Sequence, residues 1–209
     1  MLKSKAKIAV FVSGGGTNLQ ALINAQAKGE IPSGEITLVA ANNANAFALK
    51  RAEKAGIKTA VVLKKELGSQ EAFETKLMEL IDQNGIDIIV LAGFMAILSE
   101  RFTGRYPKRI LNVHPSLIPA FCGKGFYGLH VHEAALAYGV KVTGATVHFV
   151  NEIPDGGEII LQKAVAIRPD DTPETLQKRV MRNAEWKLLP KAVELVSSQL
   201  VSKEKGKAE

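Results

Sequence analysis

The sequence predicts an α/β fold in which an open, mostly parallel, twisted sheet carries helices on both faces within a single domain. Two observations predict it. Short runs rich in β-branched residues alternate with longer stretches of helical periodicity, which is typical of strand–helix–strand units around a parallel sheet. The run IDIIVLAG at 86–93 is almost wholly apolar, as expected for a central strand covered on both faces.

Length and composition fit one globular domain with its own core. The chain has 209 residues, of which 46% are hydrophobic and 23% charged. We expect the domain to cover 1–200 and the charged segment 201–209 to form a disordered tail. Cys122 is the single cysteine, so an internal disulfide is excluded and a reducing, cytoplasmic location is expected.

Two classes of partner are not expected. No apolar run approaches the roughly 18 residues of a membrane span, which argues against a membrane protein. The net charge of +6 comes partly from the last segment, and no basic stripe is interleaved with aromatic residues. The remaining positive charge suits small anionic ligands as well as a polynucleotide, so charge alone does not decide between them. Because no such stripe is present, we expect no nucleic-acid partner, and we expect either a monomer or a homodimer.

The first half of the chain is predicted to alternate between strands and helices. Leu19, Leu22 and Ile23 give the first helix its apolar face, and Ser69 and Gly85 have the residue types that begin and end a later helix. The predicted elements are a strand at 7–12, a helix from Thr17 to Gly29, a strand at 35–43, a helix ending at Gly56, a strand at 57–63, a helix at 69–85 and the strand at 86–93.

The second half adds strands whose direction the pattern does not give. A strand at 109–114 is stopped by Pro115, and the glycine- and proline-rich stretch up to Gly128 is expected to be irregular. A helix at 129–138, strands at 142–150 and 157–167, and one long helix beginning near Thr172 and Pro173 complete the prediction.

The first strand is followed by a glycine-rich loop that begins the first helix. The residues of this loop are Gly14, Gly15, Gly16, Thr17 and Asn18. Backbone N–H groups at a helix N-terminus bind phosphate, and glycines let the backbone approach a ligand closely. A tight turn would explain the same glycines, but the position at the C-terminal end of a strand favours a phosphate site. Leu19 stands where a dinucleotide fingerprint has its third glycine, and no Gly-Lys-Ser/Thr follows.

A polar pair ends the strand at 109–114. Asn112 and His114 are two apart, so their side chains lie on the same side of the strand. An amide can stabilise an oxyanion, and an imidazole can donate a hydrogen bond or a proton near neutral pH. Asp155 lies in the turn sequence Pro-Asp-Gly-Gly. Taken separately each residue has an ordinary structural explanation, whereas their combination indicates catalysis.

Five segments together resemble the folate-dependent phosphoribosylglycinamide formyltransferase family over almost the whole chain. They are SGGGTNLQAL at 13–22, VLAGFMAIL at 90–98, LNVHPSLIP at 111–119, GLHVHEAAL at 128–136 and GATVHFVNEIPDGGEIILQ at 144–162. The resemblance implies a Rossmann-like formyltransferase fold and transfer of a formyl group from 10-formyltetrahydrofolate, as co-substrate, to the amine of glycinamide ribonucleotide, without a metal.

The resemblance also implies roles for particular residues. Asn112, His114 and Asp155 correspond to the catalytic trio, in which Asn112 and protonated His114 would stabilise the oxyanion. Asp155 would raise the pKa of His114 above the usual value of about 6.5 and hold its orientation. The glycine loop and Glu185 would bind the ribonucleotide. The residues implied for the folate pocket are Met95, Ala96, Ile97, Leu98 and Val150.

The chain departs from the family at several places, and its loop at 119–128 is longer than in some relatives. Gln70 and Ala96 stand where many relatives have arginine, and the helix around 180–185 carries an extra residue. His148 is either a core histidine or a residue that supports the site, whereas His130 and His132 are expected on different faces of one helix and so not on a shared metal.

Several other functions fit parts of the pattern. Formyltetrahydrofolate hydrolase and methionyl-tRNA formyltransferase share the trio, but each normally has an additional domain. A non-catalytic nucleotide- or folate-binding protein is a further possibility, since fold does not guarantee activity. A nicotinamide-dependent oxidoreductase would need an acidic residue near the end of the second strand, where Asn42 and Asn43 stand instead.

Overall fold

The structure is a computed structural model that describes residues 5–205. Its seven strands form one sheet in the order β3-β2-β1-β4-β5-β6-β7. The first five strands in this order run parallel, β6 is antiparallel to β5, and β7 is antiparallel to β6. The predicted open, mostly parallel sheet is confirmed. The strands are β1 (Ala6–Val12), β2 (Gly34–Ala41), β3 (Lys58–Val61), β4 (Ile88–Leu91), β5 (Ile110–His114), β6 (Val142–Phe149) and β7 (Ile159–Ala166).

The helices connect these strands and extend past the last one. Two of them, α3 and α5, were not predicted, because four and six residues are too few to show a helical period. Within 5–205, none of the helices is both long enough and apolar enough to cross a membrane. The helices are α1 (Thr17–Ala27), α2 (Phe47–Lys54), α3 (Lys64–Leu67), α4 (Gln70–Asn84), α5 (Glu100–Arg105), α6 (Leu129–Tyr138), α7 (Pro173–Val180) and α8 (Trp186–Lys205).

The sheet is covered on both faces, as predicted. Alternate residues of β1 divide between two apolar clusters: Ile8 and Val10 pack in the cluster that includes α1, α2 and α8, and Phe11 packs in the cluster that includes α4 and α5. All three side chains are fully buried. Burying a side chain of this size stabilises the fold by about 1.5–3 kcal/mol.

Two predicted helix starts are confirmed by their capping bonds. The Ser69 hydroxyl accepts a hydrogen bond from the Ala72 N–H at 3.0 Å at the start of α4. The Thr172 hydroxyl accepts from the Thr175 N–H at 3.3 Å, and Pro173 occupies the first turn of α7. These local signals suffice because a cap satisfies a backbone donor that the helix itself leaves unpaired.

The C-terminal region differs from the prediction of one helix followed by a tail. A π-helical turn at Met181–Glu185 separates α7 from α8, so the extra residue is accommodated as a wider turn within one continuous helical segment. The tail predicted at 201–209 is wrong for its first five residues, because α8 continues through Lys205 and packs Val201 at 9% exposure against the core. Residues 206–209 lie outside the described residues.

Candidate active site

Most of the predicted site residues lie at the C-terminal ends of neighbouring parallel strands; Val150, Asp155 and Glu185 reach the site from other elements. β1, β4 and β5 are adjacent in the sheet, and they end at Val12, Leu91 and His114. The strand order reverses between β1 and β4, since the chain from β1 goes first to β2 and β3 and then returns to the other side. Ligands of open α/β sheets bind in the crevice at such a reversal.

The glycine loop has one glycine that the fold requires and two that it does not. Gly16 has φ of 71°, and a Cβ atom there would lie 2.6 Å from Cβ of Ala48. A Cβ atom at Gly14 or Gly15 would have no neighbour within 4 Å. A tight turn against α2 therefore explains Gly16, whereas Gly14 and Gly15 leave open space beside the helix N-terminus.

Contacts with α2 hold the glycine loop in place. The Gly14 carbonyl accepts a hydrogen bond from the Ala48 N–H at 3.1 Å, and the Gly15 carbonyl accepts one from Arg51 Nε at 2.8 Å. The first-turn N–H groups of α1 have no intrahelical acceptor, and they carry the positive end of the helix dipole. This arrangement has the chemistry of an anion site.

Asn18 and Glu185 come together next to this loop. Asn18 Nδ2 donates to Glu185 Oε2 at 2.7 Å, and the two residues are 9% and 6% exposed. Burial raises the pKa of Glu185 to about 7, and the hydrogen bond from Asn18 opposes that shift. The structure thus places Glu185 beside the predicted phosphate loop. Its buried carboxylate resists ionisation unless a second hydrogen-bond donor, in addition to Asn18, contacts it.

The three residues of the predicted catalytic trio converge. Asp155 Oδ1 lies 3.5 Å from Asn112 Nδ2, and Asp155 Oδ2 lies 3.5 Å from His114 Nδ1. Asp155 has φ of 57°, a conformation that aspartate tolerates better than most residues. At Gly157, two positions later, a Cβ atom would lie 1.8 Å from the Phe149 carbonyl oxygen, so the turn that presents Asp155 requires glycine there.

His148 joins the trio, which the sequence did not establish. It is the direct cross-strand neighbour of Asn112, and its Nε2 lies 3.2 Å from Asn112 Nδ2. Its Nδ1 lies 2.8 Å from the Phe149 carbonyl, which can only accept, so Nδ1 carries the proton and Nε2 accepts from Asn112. The sequence shows that His148 points to the opposite face of the sheet from Val147 and Phe149. Only the register between β5 and β6 shows that its partner is Asn112.

The pKa of His114 differs from the expectation. We expected Asp155 to raise it, and the carboxylate and the Phe121 carbonyl do act in that direction, but burial acts more strongly and lowers the pKa below the usual value. His114 is 4% exposed, and its Nε2 donates to the Phe121 carbonyl at 2.9 Å. His114 is therefore a neutral imidazole with an N–H donor at neutral pH.

Asp155 remains a carboxylate although it is mostly buried. Burial raises its pKa, but the His148 and His114 side chains and the Gly123 N–H outweigh that effect, so the net pKa is lowered. The Gly123 N–H donates to Asp155 Oδ2 at 2.8 Å. Asp155 thereby connects the end of β5 to the irregular segment that covers His114.

A cavity of about 130 Å³ opens in front of the polar cluster. Its polar wall includes Asn112, His148 and Asp155, whereas His114 lies beside the cavity and not in its lining. Of the residues expected in the folate pocket, Met95 is 57% exposed and does not line the cavity. The other four do line it: Ala96, Ile97, Leu98 and Val150.

A second cavity of about 290 Å³ lies along α1, next to the glycine loop. Thr17, Arg51 and Trp186 are among its lining residues. The sequence suggested a core position for Trp186, but the side chain is only half-buried, and its indole N–H has no hydrogen-bond partner among the described residues.

The remaining histidines lie on different faces of α6, as predicted. His130 is exposed and lies 3.0 Å from Glu133 Oε2, whereas His132 is fully buried. Burial, with a further contribution from His114, lowers the pKa of His132 to about 4. Over residues 5–205, no group of three or more His, Cys, Asp or Glu side chains has an arrangement that could hold a metal ion.

Comparisons with known proteins agree with this geometry. The family model described as formyl transferase matches residues 6–193. The chain is 42% identical to phosphoribosylglycinamide formyltransferase of Haemophilus influenzae, over 88% of this chain and 84% of that protein. It is 39% identical to the solved structure of glycinamide ribonucleotide transformylase 1 from Symbiobacterium toebii, with a TM-score of 0.87 over 94% of this chain and 89% of that one.

Longer relatives contain a similar region. The chain is 44% identical to part of the trifunctional purine biosynthetic protein adenosine-3 of Gallus gallus, over 95% of this chain and 19% of that protein. It therefore spans about a fifth of the length of the trifunctional relatives that it matches. The family match covers the sheet, the glycine loop and every candidate site residue, and the chain belongs to the formyl transferase family.

Proposed function

We propose that this protein transfers the formyl group of 10-formyltetrahydrofolate to the amine of glycinamide ribonucleotide in purine biosynthesis. The observation that carries the proposal is the convergence of Asn112 and His114 on Asp155 at the cavity, in a chain of the formyl transferase family. An amide donor and an imidazole donor can stabilise the oxyanion that forms when an acyl group moves between two amines, and a carboxylate lies beside both.

The ribonucleotide would lie between the glycine loop and the trio. Its phosphate would accept hydrogen bonds from backbone N–H groups at 14–18, which the open space beside Gly14 and Gly15 allows. Glu185, held by Asn18, would accept hydrogen bonds from ribose hydroxyls. A donor of that kind would relieve the cost of burying the carboxylate.

The folate would occupy the cavity beside the trio. Ala96, Ile97, Leu98 and Val150 provide the mainly apolar surface that suits a flat ring, and Met95 would cover its exposed edge. The formyl group would then lie next to Asn112 and the carboxylate of Asp155, which line the polar wall of the cavity.

In the reaction, the substrate amine attacks the formyl carbon and the carbonyl electron pair moves to oxygen. Asn112 Nδ2 would donate one hydrogen to that oxyanion and keep the other on His148 Nε2. The neutral imidazole N–H of His114 would donate as well, and Asp155 lies 3.5 Å from both side chains. For His114 Nε2 to donate, the formyl oxygen must take the place of the Phe121 carbonyl. The bond from carbon to the folate nitrogen then breaks, that nitrogen gains a proton, and the attacking amine loses one. Direct transfer of this kind needs neither a metal nor a covalent enzyme intermediate.

An absorbance assay of folate deformylation tests the proposal. The purified protein is mixed with 10-formyltetrahydrofolate with and without glycinamide ribonucleotide, alongside His114→Ala and the exposed-histidine control His130→Ala. We expect turnover only with the ribonucleotide, retained in His130→Ala and lost in His114→Ala. Equal turnover without the ribonucleotide would instead indicate a hydrolase, and no turnover in any condition would indicate a binding protein.

A further inference from the structure

The segment 93–99 forms one wall of the cavity in front of the trio. Ala96, Ile97 and Leu98 line the cavity, although the segment contains neither helix nor strand. Such a segment has no regular hydrogen-bond ladder of its own, so its position depends on contacts with neighbouring elements.

The first part of the wall is attached to the end of β1. The Ser13 N–H donates to the Gly93 carbonyl at 3.1 Å, and the Met95 N–H donates to Ser13 Oγ at 2.8 Å. Ser13 comes directly before the glycine loop, so these two bonds fix only the segment's beginning.

The second part is attached to a buried carboxylate on α4. Glu74 is 1% exposed; its Oε1 accepts from the Ser99 N–H at 2.7 Å and its Oε2 accepts from the Ser99 hydroxyl at 2.5 Å. Gln70 Nε2 donates to Glu74 Oε1 at 2.6 Å and to the Ile97 carbonyl at 3.0 Å. The Glu74 carboxylate therefore holds the Ser99 N–H, and the Gln70 amide holds the Ile97 carbonyl.

Both bonds at Ser99 are accepted by the Glu74 carboxylate, one through each oxygen. Burial acts to raise the pKa of Glu74, but the hydrogen bonds from Ser99 and Gln70, with Arg101 nearby, outweigh it and lower the pKa. Ser99 precedes α5, yet its side chain makes no capping bond to that helix. The hydroxyl that would ordinarily cap α5 is used to hold the wall on α4 instead.

We propose that Glu74 is a positioning residue for the formylfolate pocket, and that it acts by fixing Ala96, Ile97 and Leu98 through Ser99 and Gln70. This inference rests on the proposed function for the identity of the ligand. Glu74 does not touch the cavity. Its effect is therefore expected on folate affinity, not on the chemical step or on the ribonucleotide.

The test compares Glu74→Gln with Glu79→Gln. Both are on α4, but Glu79 is exposed and pairs with Lys76 on the surface, so it controls for loss of a charge from the helix. In Glu74→Gln the amide oxygen can still accept from the Ser99 N–H, and the Ser99 hydroxyl can turn to accept from the amide NH₂. Both bonds at Ser99 are then weaker, because they no longer involve a charged carboxylate. We expect the KM for 10-formyltetrahydrofolate to rise about tenfold, with kcat and the KM for the ribonucleotide unchanged, since a hydrogen bond to a charged group is worth about that factor.

Hydrogen exchange provides a readout that does not depend on turnover. We expect faster exchange at the Ser99 amide in Glu74→Gln than in Glu79→Gln. The Met95 amide, which Ser13 holds, and the amides of β1 and β4 should be unchanged. Faster exchange throughout the domain, or an unchanged folate KM with the local amides still protected, would overturn the proposal, because Glu74 would then be only a structural residue.

A second variant keeps the test decisive if Glu74→Gln does not fold. Gln70→Ala leaves both Ser99 bonds and removes the bond to the Ile97 carbonyl, so it should raise the folate KM by a smaller factor and loosen 96–98 alone. An unsubstituted protein that binds 10-formyltetrahydrofolate without turnover would overturn the proposed function but not the role of Glu74. Folate affinity and local exchange would then decide that role.

Discussion

The Asn18 amide donates a 2.7 Å hydrogen bond to the Glu185 carboxylate across 167 positions of the chain, and this bond joins the glycine loop to the π-helical turn. The extra residue around 180–185 could have rotated Glu185 away from the site. The π-helical turn accommodates the extra residue and leaves Glu185 in contact with Asn18, so α7 and α8 both keep their packing on the sheet.

The first prediction concerns the ligand of Glu185. Replacing it as Glu185→Ala should raise the KM for glycinamide ribonucleotide by about tenfold or more, because a charge-assisted hydrogen bond is lost. The KM for 10-formyltetrahydrofolate should not change. Steady-state kinetics with each substrate varied in turn checks both statements, and an equal rise in the two KM values would contradict the assignment.

The second prediction concerns the stability of the protein without ligands as pH changes. The pKa of Glu185 is about 7 in the folded protein, against a reference value of 4.5 that applies to the unfolded chain. The folded state therefore binds the carboxyl proton more tightly than the unfolded state does. Stability from this group is present below pH 4.5 and is lost as pH rises through 7. The loss is on the order of 3 kcal/mol.

Glu185→Gln should abolish that loss, because its amide has no proton to lose in this range. Denaturant unfolding at pH 5 and pH 8 measures the difference between the two proteins. The variant should gain stability relative to the parent at the higher pH. If the two proteins differ equally at both pH values, Glu185 does not titrate as its burial indicates.

The third prediction separates the roles of the loop glycines. Gly16→Ala should destabilise the fold by about 1–3 kcal/mol, since the left-handed backbone and the contact with Ala48 both oppose a side chain. Gly15→Ala has space for its methyl group and should fold normally while binding inorganic phosphate or ribonucleotide more weakly. Thermal unfolding and equilibrium titration distinguish the two variants. Equal destabilisation by both would show that the loop is only a turn.

The fourth prediction concerns the protonation state of His114. Burial lowers its pKa below 6.5, so the neutral form predominates at and above neutral pH. If the neutral N–H is the active form, kcat should rise with pH along a limb centred below 6.5 and stay constant through neutrality. His114→Asn should be slow and lack that limb. A rate that falls between pH 6 and 8 in the parent would indicate that the imidazolium is required instead.

The same group makes a linked contribution to stability. Because the pKa of His114 is depressed, its contribution is present above the reference value of 6.5 and is lost as pH falls through the lower value in the fold. This trend is opposite in sign to that of Glu185, so variants of each residue can be told apart by the direction of their pH dependence.

Local chemistry made much of the fold predictable. Ser69 and Gly85 mark the ends of α4, and the alternation of Asn112 and His114 places both on the side of β5 that reaches Asp155. These features depend only on a residue and its near neighbours. The glycine loop and the Asn112–His114 pair could therefore be singled out from local patterns, whereas Glu185 and the folate pocket were expected only from the resemblance to the formyltransferase family.

Other features depend on contacts that sequence periodicity does not encode. His148 belongs to the site because β6 runs antiparallel to β5 in one particular register. The pKa of His114 is lowered because its side chain is buried, so the attraction of Asp155 alone gave the wrong sign. Likewise, Val201 packs on the core and keeps α8 helical beyond the point where composition suggested a tail.

The most direct test of the central claim follows the formyl carbon itself. The protein is incubated with 10-formyltetrahydrofolate labelled with ¹³C at the formyl group and with glycinamide ribonucleotide, and the products are identified by NMR. We predict that the label appears as the formamide of the ribonucleotide, and that Asn112→Ala slows its appearance by roughly 10²–10³-fold, as for loss of an oxyanion donor. Label released as free formate, or retained on the folate, would contradict the account.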